Sequence, residues 1–391
     1  MQPFSLAETM VPAAAPSTQA MRELERHVAD SIAGLLPAIE RFLRWIERCP
    51  PPRAAQERFS LLRLRFNLFL DRFDVFADVV TQRSEQPVGV WLAGLDALAE
   101  DMLAAGVEPS ARPPLACYLD RGRGAAIRRA RTRFSDGEQT PLALVRLPRE
   151  RMIGSGVASS LAHEVGHQGI ALLGLLEPVR QVLSGARLRG PWAFWASEIL
   201  ADFWAIGCLG ISATVGLLAV VTLPQAFVFR TNDHDVHPTP YLRTLLSAEL
   251  GARLFPDPQW GRLIETWRRL YPLEQAPAAL QAKLSGRVRE IPAVADILAG
   301  LRFTSLGRTF GEHLRAPARG PETLRATFGA PLKTARPLLA IATLGQARAD
   351  GVLPAETETR MLDDLLRRWA LERSGLTRFT TTRPQGENHV G

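Results

Sequence analysis

The sequence predicts a mainly helical α+β fold, in which two site-bearing helices pack beside a small sheet and are flanked by helical regions. Three observations lead there. Apolar residues recur at helical spacing over most of the chain. Two short apolar runs, bounded by proline or glycine, are the clearest strand signals. The stretch "LAHEVGHQGI", residues 161–170, sets two histidines four apart on a predicted helix that follows those strands. A chain of 391 residues with 46% hydrophobic and 22% charged residues has a globular composition, long enough for one large or two ordinary domains.

Residues 1–20 are rich in Ala, Pro, Ser and Thr and predict a disordered lead-in. They hold neither a basic n-region nor a sustained apolar run, so a cytoplasmic location is expected. Over residues 21–48, Leu24, Val28, Ile32, Leu36, Ile39, Leu43 and Ile46 mark a long amphipathic helix. "CPPPR" stops it, because consecutive prolines remove backbone donors and clash with the preceding turn. Further helical runs cover 54–82 and 88–105, and "GVEPSARPP" closes an N-terminal helical region of residues 21–110.

Between residues 115 and 147, "PLACYLD" and "PLALVRL" read as strands. The segment joining them, "RGRGAAIRRARTRF", carries Arg121, Arg123, Arg128, Arg129, Arg131 and Arg133. It has no aromatic residue for base stacking before Phe134, so a solvated strand or loop is preferred and nucleic acid is not the expected partner. Residues 111–245 form the expected core. Helical patterns such as "WGRLIETWRRLY" and "ETRMLDDLLRRWALE" fill residues 246–372, and 373–391 read as a disordered tail. The net charge is +7 and the pI about 10.1, yet Lys283 and Lys333 are the only lysines. The positive charge is therefore nearly all arginine, a slight pull toward acidic partners and no more. Cys49, Cys117 and Cys208 are odd in number and far apart, as expected for free, mostly buried thiols in a reducing compartment.

A helix puts His163 and His167 on one face, where both imidazoles can reach a single metal. Zinc–histidine bonds of about 2.0–2.1 Å are compatible with that spacing. Glu164 projects beside the metal, where a general base would stand to deprotonate water. Gly166 and Gly169 are poor helix residues whose small size lets another element approach. A third ligand is still needed. A metzincin would supply a histidine six residues after His167, but that residue is Leu173. In "WASEILADFWA", Glu198 and Asp202 lie four apart on an otherwise apolar helix. Burying both carboxylates is costly unless a cation or donor accompanies them. One as metal ligand and one as acceptor for a histidine N–H would account for the pair.

"HEVGH" with "EILAD" resembles the gluzincin metallopeptidases, and is similar to the group of heat-shock membrane proteases and CaaX prenyl endopeptidases. The likeness runs over roughly residues 140–245. It implies a zincin core, one Zn2+ per chain held by His163, His167 and Glu198, and hydrolysis of protein or peptide substrates with Glu164 as general base. Asp202 would then orient a ligand histidine. That group also has a His-Pro pair followed by an arginine, and this chain has "DVHPTPYLR". The resemblance therefore implies that His237 and Arg243 lie near the zinc and stabilise the oxyanion. The alternatives are a non-peptidase zinc hydrolase or a zinc-containing binding or adaptor protein, although an intact Glu164 speaks against a purely structural site.

"PLALVRLP" offers an edge strand for an extended substrate, or simply a structural strand. His234 reads as a solvated loop residue, and His27, His313 and His389 as structural or exposed. Residues 203–229 contain 27 residues without a charge, enough to cross a bilayer. A straight span would separate Glu198 from His237. Gly207, Gly210, Gly216, Ser212 and Pro224 provide places to turn back, so a buried helical hairpin is preferred, with membrane association through 203–229 as the alternative.

Overall fold

The computed structural model describes residues 11–85, 87–122, 124–133, 139–151, 154, 156–332 and 335–375. The chain is mainly helical, with a small mixed sheet. Helices α1 (Thr18–Ile46), α2 (Pro52–Ser84) and α3 (Val88–Ala104) follow one another, and α1 starts where the Ser17 hydroxyl accepts from the Ala20 amide. Strands β1 (Leu115–Asp120), β2 (Ala126–Arg128) and β3 (Ala143–Pro148) come next. Beyond them lie α4 (Gly156–Leu173), α5 (Leu176–Gly185), α6 (Ala196–Leu209), α7 (Ile211–Val221), α8 (Gln225–Val228) and α9 (Pro240–Leu254). The C-terminal part includes α10 (Gln259–Leu270), α11 (Ala278–Gly300), α12 (Phe310–Leu314), α13 (Pro321–Thr327), α14 (Pro337–Ala349) and α15 (Ala355–Ser374), with the short pair β4 (Arg302–Phe303) and β5 (Arg308–Thr309) between α11 and α12.

The sheet order is β1-β3-β2, with β1 parallel and β2 antiparallel to β3. This corrects the sequence expectation for "PLALVRLP". Strand β3 is central, paired along its length by β1 and at Leu144, Val145 and Arg146 by β2, so the outer strands are β1 and β2. Its run of apolar residues fits that central place, because Ala143, Leu144, Val145 and Leu147 are all buried. The sheet is tied to α4 by the Ala130 amide, which donates to the buried Gln168 side chain at 2.9 Å.

One buried apolar cluster runs from Leu92 in α3 through α4, α6, α9 and α14 to Trp369 in α15. The three stretches separated by sequence character therefore share a core. Helix α3 sits between α2, β1 and α15. There Arg83 and Asp96, both wholly buried, pair at 3.0 Å, and both also bond the backbone of Cys117. The lead-in is corrected in part: residues 11–20 are ordered, with Ala13 and Ala14 buried, and the Ala14 methyl packs where Gly89 leaves room. The tail is also corrected at its start. Helix α15 continues to Ser374, and Arg373 bonds Glu100 at 2.7 Å. Residues 1–10 and 376–391, with His389 among the latter, lie outside the described residues.

The charge-free stretch folds as the expected hairpin. Gly210, at φ 58° and ψ −136°, ends α6 in a conformation that only glycine adopts readily, and α7 starts at the next residue. Pro224 then turns the chain toward α9. Phe203, Trp204, Ile206 and Cys208 are fully buried. Among the described residues, no helix is long and apolar enough to cross a membrane.

Candidate metal centre

Helices α4 and α6 cross closely because α4 presents glycines. A Cβ on Gly169 would come within 2.5 Å of the Trp204 ring, and one on Gly166 within 2.9 Å of the Trp204 Cβ. Trp204 thus fills the space that larger residues would occupy, and the helices meet with His163 and His167 facing Glu198 and Asp202. Ser159, one turn before His163, donates to the Ala213 carbonyl at 2.8 Å and fixes α7 against the same helix.

His163, His167 and Glu198 each offer a ligand atom within 4.8 Å of the others. His163 Nε2 is 3.2 Å from Glu198 Oε2, and His167 Nε2 is 3.4 Å from Glu198 Oε1. Glu198 is buried, and its Oε2 has no hydrogen-bond partner. Two imidazole nitrogens and a buried oxygen with unused acceptor capacity fit a divalent cation of the zinc kind. The other ring nitrogens are held from behind. His163 Nδ1 is 2.8 Å from Asp202 Oδ1, and His167 Nδ1 is 3.3 Å from the Ser197 hydroxyl. Such partners set which ring nitrogen faces the cation.

Arg243, from the first turn of α9, forms a fork with Asp202, with Nε at 2.7 Å and Nη2 at 2.8 Å. Its Nη2 also lies 3.4 Å from His163 Nδ1 and 3.8 Å from Glu198 Oε2. Two of its nitrogens are thus committed to Asp202, and both residues also line the cavity beside His163. His237 is 56% exposed, and its Nε2 stands 3.5 Å from Glu198 Oε2 at the front. Asp235 shapes that loop: one oxygen lies 3.0 Å from the His237 amide and 3.1 Å from its Nδ1. Trp195, just before α6, donates to the Asp235 carbonyl at 3.0 Å and ties the loop to the glutamate helix.

Charges and burial oppose each other here. Burial alone would depress His163, but Asp202, with Glu198 behind it, raises it to about 9. Burial would raise Asp202, yet the Arg243 guanidinium holds it at about 2. Burial likewise works against ionised Glu198, and the two histidines hold it well below the usual carboxylate range. Glu164 differs: burial dominates and lifts it above its ordinary value. A carboxylate poised upward beside two held ones, Glu198 and Asp202, has the electrostatics of a base. A cavity of about 920 Å³ opens in front, lined by His163, Glu164 and His237, by Leu217, Val221 and Phe227 on an apolar wall, and by Arg146 and Arg230.

The expected residues His163, Glu164, His167, Glu198, Asp202, His237 and Arg243 all fall in one site. His234 is exposed, His313 bonds the Gly106 carbonyl at 2.8 Å, and the His27 ring packs edge-on against Phe76. Sequence reasoning missed Ser197, Gln168 and Asp235. Asp235 carried a signal, since an Asx turn two residues ahead of His-Pro is a recognisable loop device. Ser197 and Gln168 carried none. No known family matches the chain, and neither curated proteins nor solved structures include one similar to it.

Proposed function

We propose that the protein is a zinc-dependent metallopeptidase of the gluzincin type. The observation that carries this reading is the convergence of His163, His167 and Glu198 on one point beside the buried, upward-shifted Glu164. The cation would supply Lewis acidity toward a substrate carbonyl and water. Glu164 takes the proton from the attacking water and returns it to the leaving amine. Asp202 and Ser197 hold the rings of His163 and His167 by their Nδ1 atoms. Asp235 holds His237 at Nδ1, so that Nε2, when protonated, can donate to charge developing on the carbonyl oxygen. Arg243 acts as a brace for Asp202 and His163 rather than as a donor to substrate. The apolar wall and two arginines of the cavity suit an extended protein or peptide segment.

Metal analysis with two variants tests the reading. Purified protein should hold about one zinc per chain. Glu198→Ala should lose most of it, and Glu164→Gln should retain it while cleaving nothing. Comparing newly formed protein termini in cells expressing the wild type or Glu164→Gln would identify substrates. Full zinc retention in Glu198→Ala, or identical termini in both cells, would refute the proposal.

A further inference from the structure

Helices α1 and α2 form a hairpin whose base packs on the body through Ala20, Leu24, Phe76, Val79 and Val80. Beyond that base, no residue from 32 to 67 is buried. The two helices touch near the tip, where the rings of Phe42 and Phe59 are 6.1 Å apart and Arg58 lies 4.1 Å over Trp45. Each also turns large apolar residues outward. Leu36 and Leu43, seven apart on α1, are 50% and 52% exposed; Leu61 and Leu64, three apart on α2, are 63% and 58% exposed. Those spacings put each pair on one face of its helix. Exposed leucines in such pairs mark a surface that something covers.

The charge of the arm indicates what covers it. Residues 32–67 hold seven arginines, three glutamates and no lysine or aspartate, a net +4 out of +7 for the whole chain. A second copy docking here would match the leucines but would set one arginine-rich arm against another. A nucleic acid would match the arginines and leave the leucines in water. A negatively charged lipid surface matches both: apolar side chains enter the acyl boundary while the guanidinium groups stay with the headgroup phosphates. Arginine further suits phosphate because its planar fork bonds two oxygens together.

We propose that the arm formed by residues 32–67 is a membrane-docking element that lies on anionic lipid without crossing it. Membrane contact thus belongs to the arginine-laced arm and not to a span through the charge-free stretch 203–229, which is mostly core up to Val221 and holds no helix long enough to cross. The proposal does not depend on the peptidase reading.

The test uses the full chain and vesicles of phosphatidylcholine alone or mixed about 7:3 with phosphatidylglycerol. Cys49, at the tip, is the one exposed cysteine, since Cys117 and Cys208 are buried, so it can carry an environment-sensitive dye. The labelled protein should sediment with the anionic vesicles and not with the neutral ones. Its emission should shift to the blue on binding, and raised ionic strength should weaken the association. Each arginine replaced by glutamine at 41, 44, 58 or 63 should weaken binding roughly fivefold. The double variant Leu61→Ser, Leu64→Ser should lose the spectral shift while melting like the wild type. Equal or absent binding to both vesicles would overturn the proposal. So would anionic binding unaffected by these variants, a dimer that Leu61→Ser, Leu64→Ser dissociates, or binding to nucleic acid without binding to vesicles.

Discussion

Residues 203–229 and residues 32–67 are both rich in apolar side chains, and the structure treats them in opposite ways. The first has no charge and is mostly buried from Phe203 to Val221, pressed between α4, α9 and α14, with Leu223 and Phe227 exposed beyond it. The second interleaves leucine, phenylalanine and tryptophan with arginine and buries nothing. Hydrophobicity alone therefore does not say which stretch meets a membrane. The decisive difference is partners: Gly166 and Gly169 let α4 close against the charge-free hairpin that turns at Gly210, whereas no described element buries the arm.

The largest expected effect comes from the buried side of that contrast. Trp204→Ala removes the ring that fills the α4–α6 crossing and should cost about 3–5 kcal/mol, measured by urea denaturation. A cost near zero would mean that the hairpin is not core. Arg243→Ala should be nearly as damaging, about 3–5 kcal/mol, because it strands the buried Asp202 carboxylate. That outcome would mark Arg243 as a brace; intact stability with lost turnover would instead make it a donor to substrate.

His237 sits on the exposed rim, and its removal should spare the fold. His237→Ala should keep zinc and melting temperature but lower turnover roughly a hundred- to thousandfold at little change in KM. Unchanged turnover would reduce the His-Pro segment to a turn.

A smaller effect depends on pH. Burial raises the Glu164 pKa above its ordinary 4.5, so the folded chain binds a proton there more readily than the unfolded chain. Stability from this group is present at pH below the unfolded value and is lost as pH rises through the raised folded one. In chelated protein, Glu164→Gln should therefore melt higher than wild type at neutral pH, with the gap closing in acid. Calorimetry across pH would show it, and a gap that widens in acid would contradict the assigned shift.

The smallest effect belongs to the arm. Leu61→Ser and Leu64→Ser should each change stability by less than about 0.5 kcal/mol, since neither side chain is packed. A large loss in either would show that the arm is covered within the chain itself.

By itself the sequence determined what repeats locally. Helical periodicity placed α1–α3, the prolines placed their ends, and i, i+4 spacing joined His163 to His167 and Glu198 to Asp202, because a helix converts spacing into a shared face. The short apolar runs announced β1 and β3. Only the tertiary structure decided that β3 is central, since pairing depends on which strands lie alongside it, and that residues 11–20 and 373–375 are ordered, since their order comes from distant partners such as Gly89 and Glu100. It also decided that Arg243 grips Asp202 across 41 residues, and that Ser197 and Asp235 stand behind His167 and His237. Side-chain geometry of that kind depends on how two helices cross, and the crossing was set by glycines meeting one tryptophan ring, a contact between segments that no local pattern specifies.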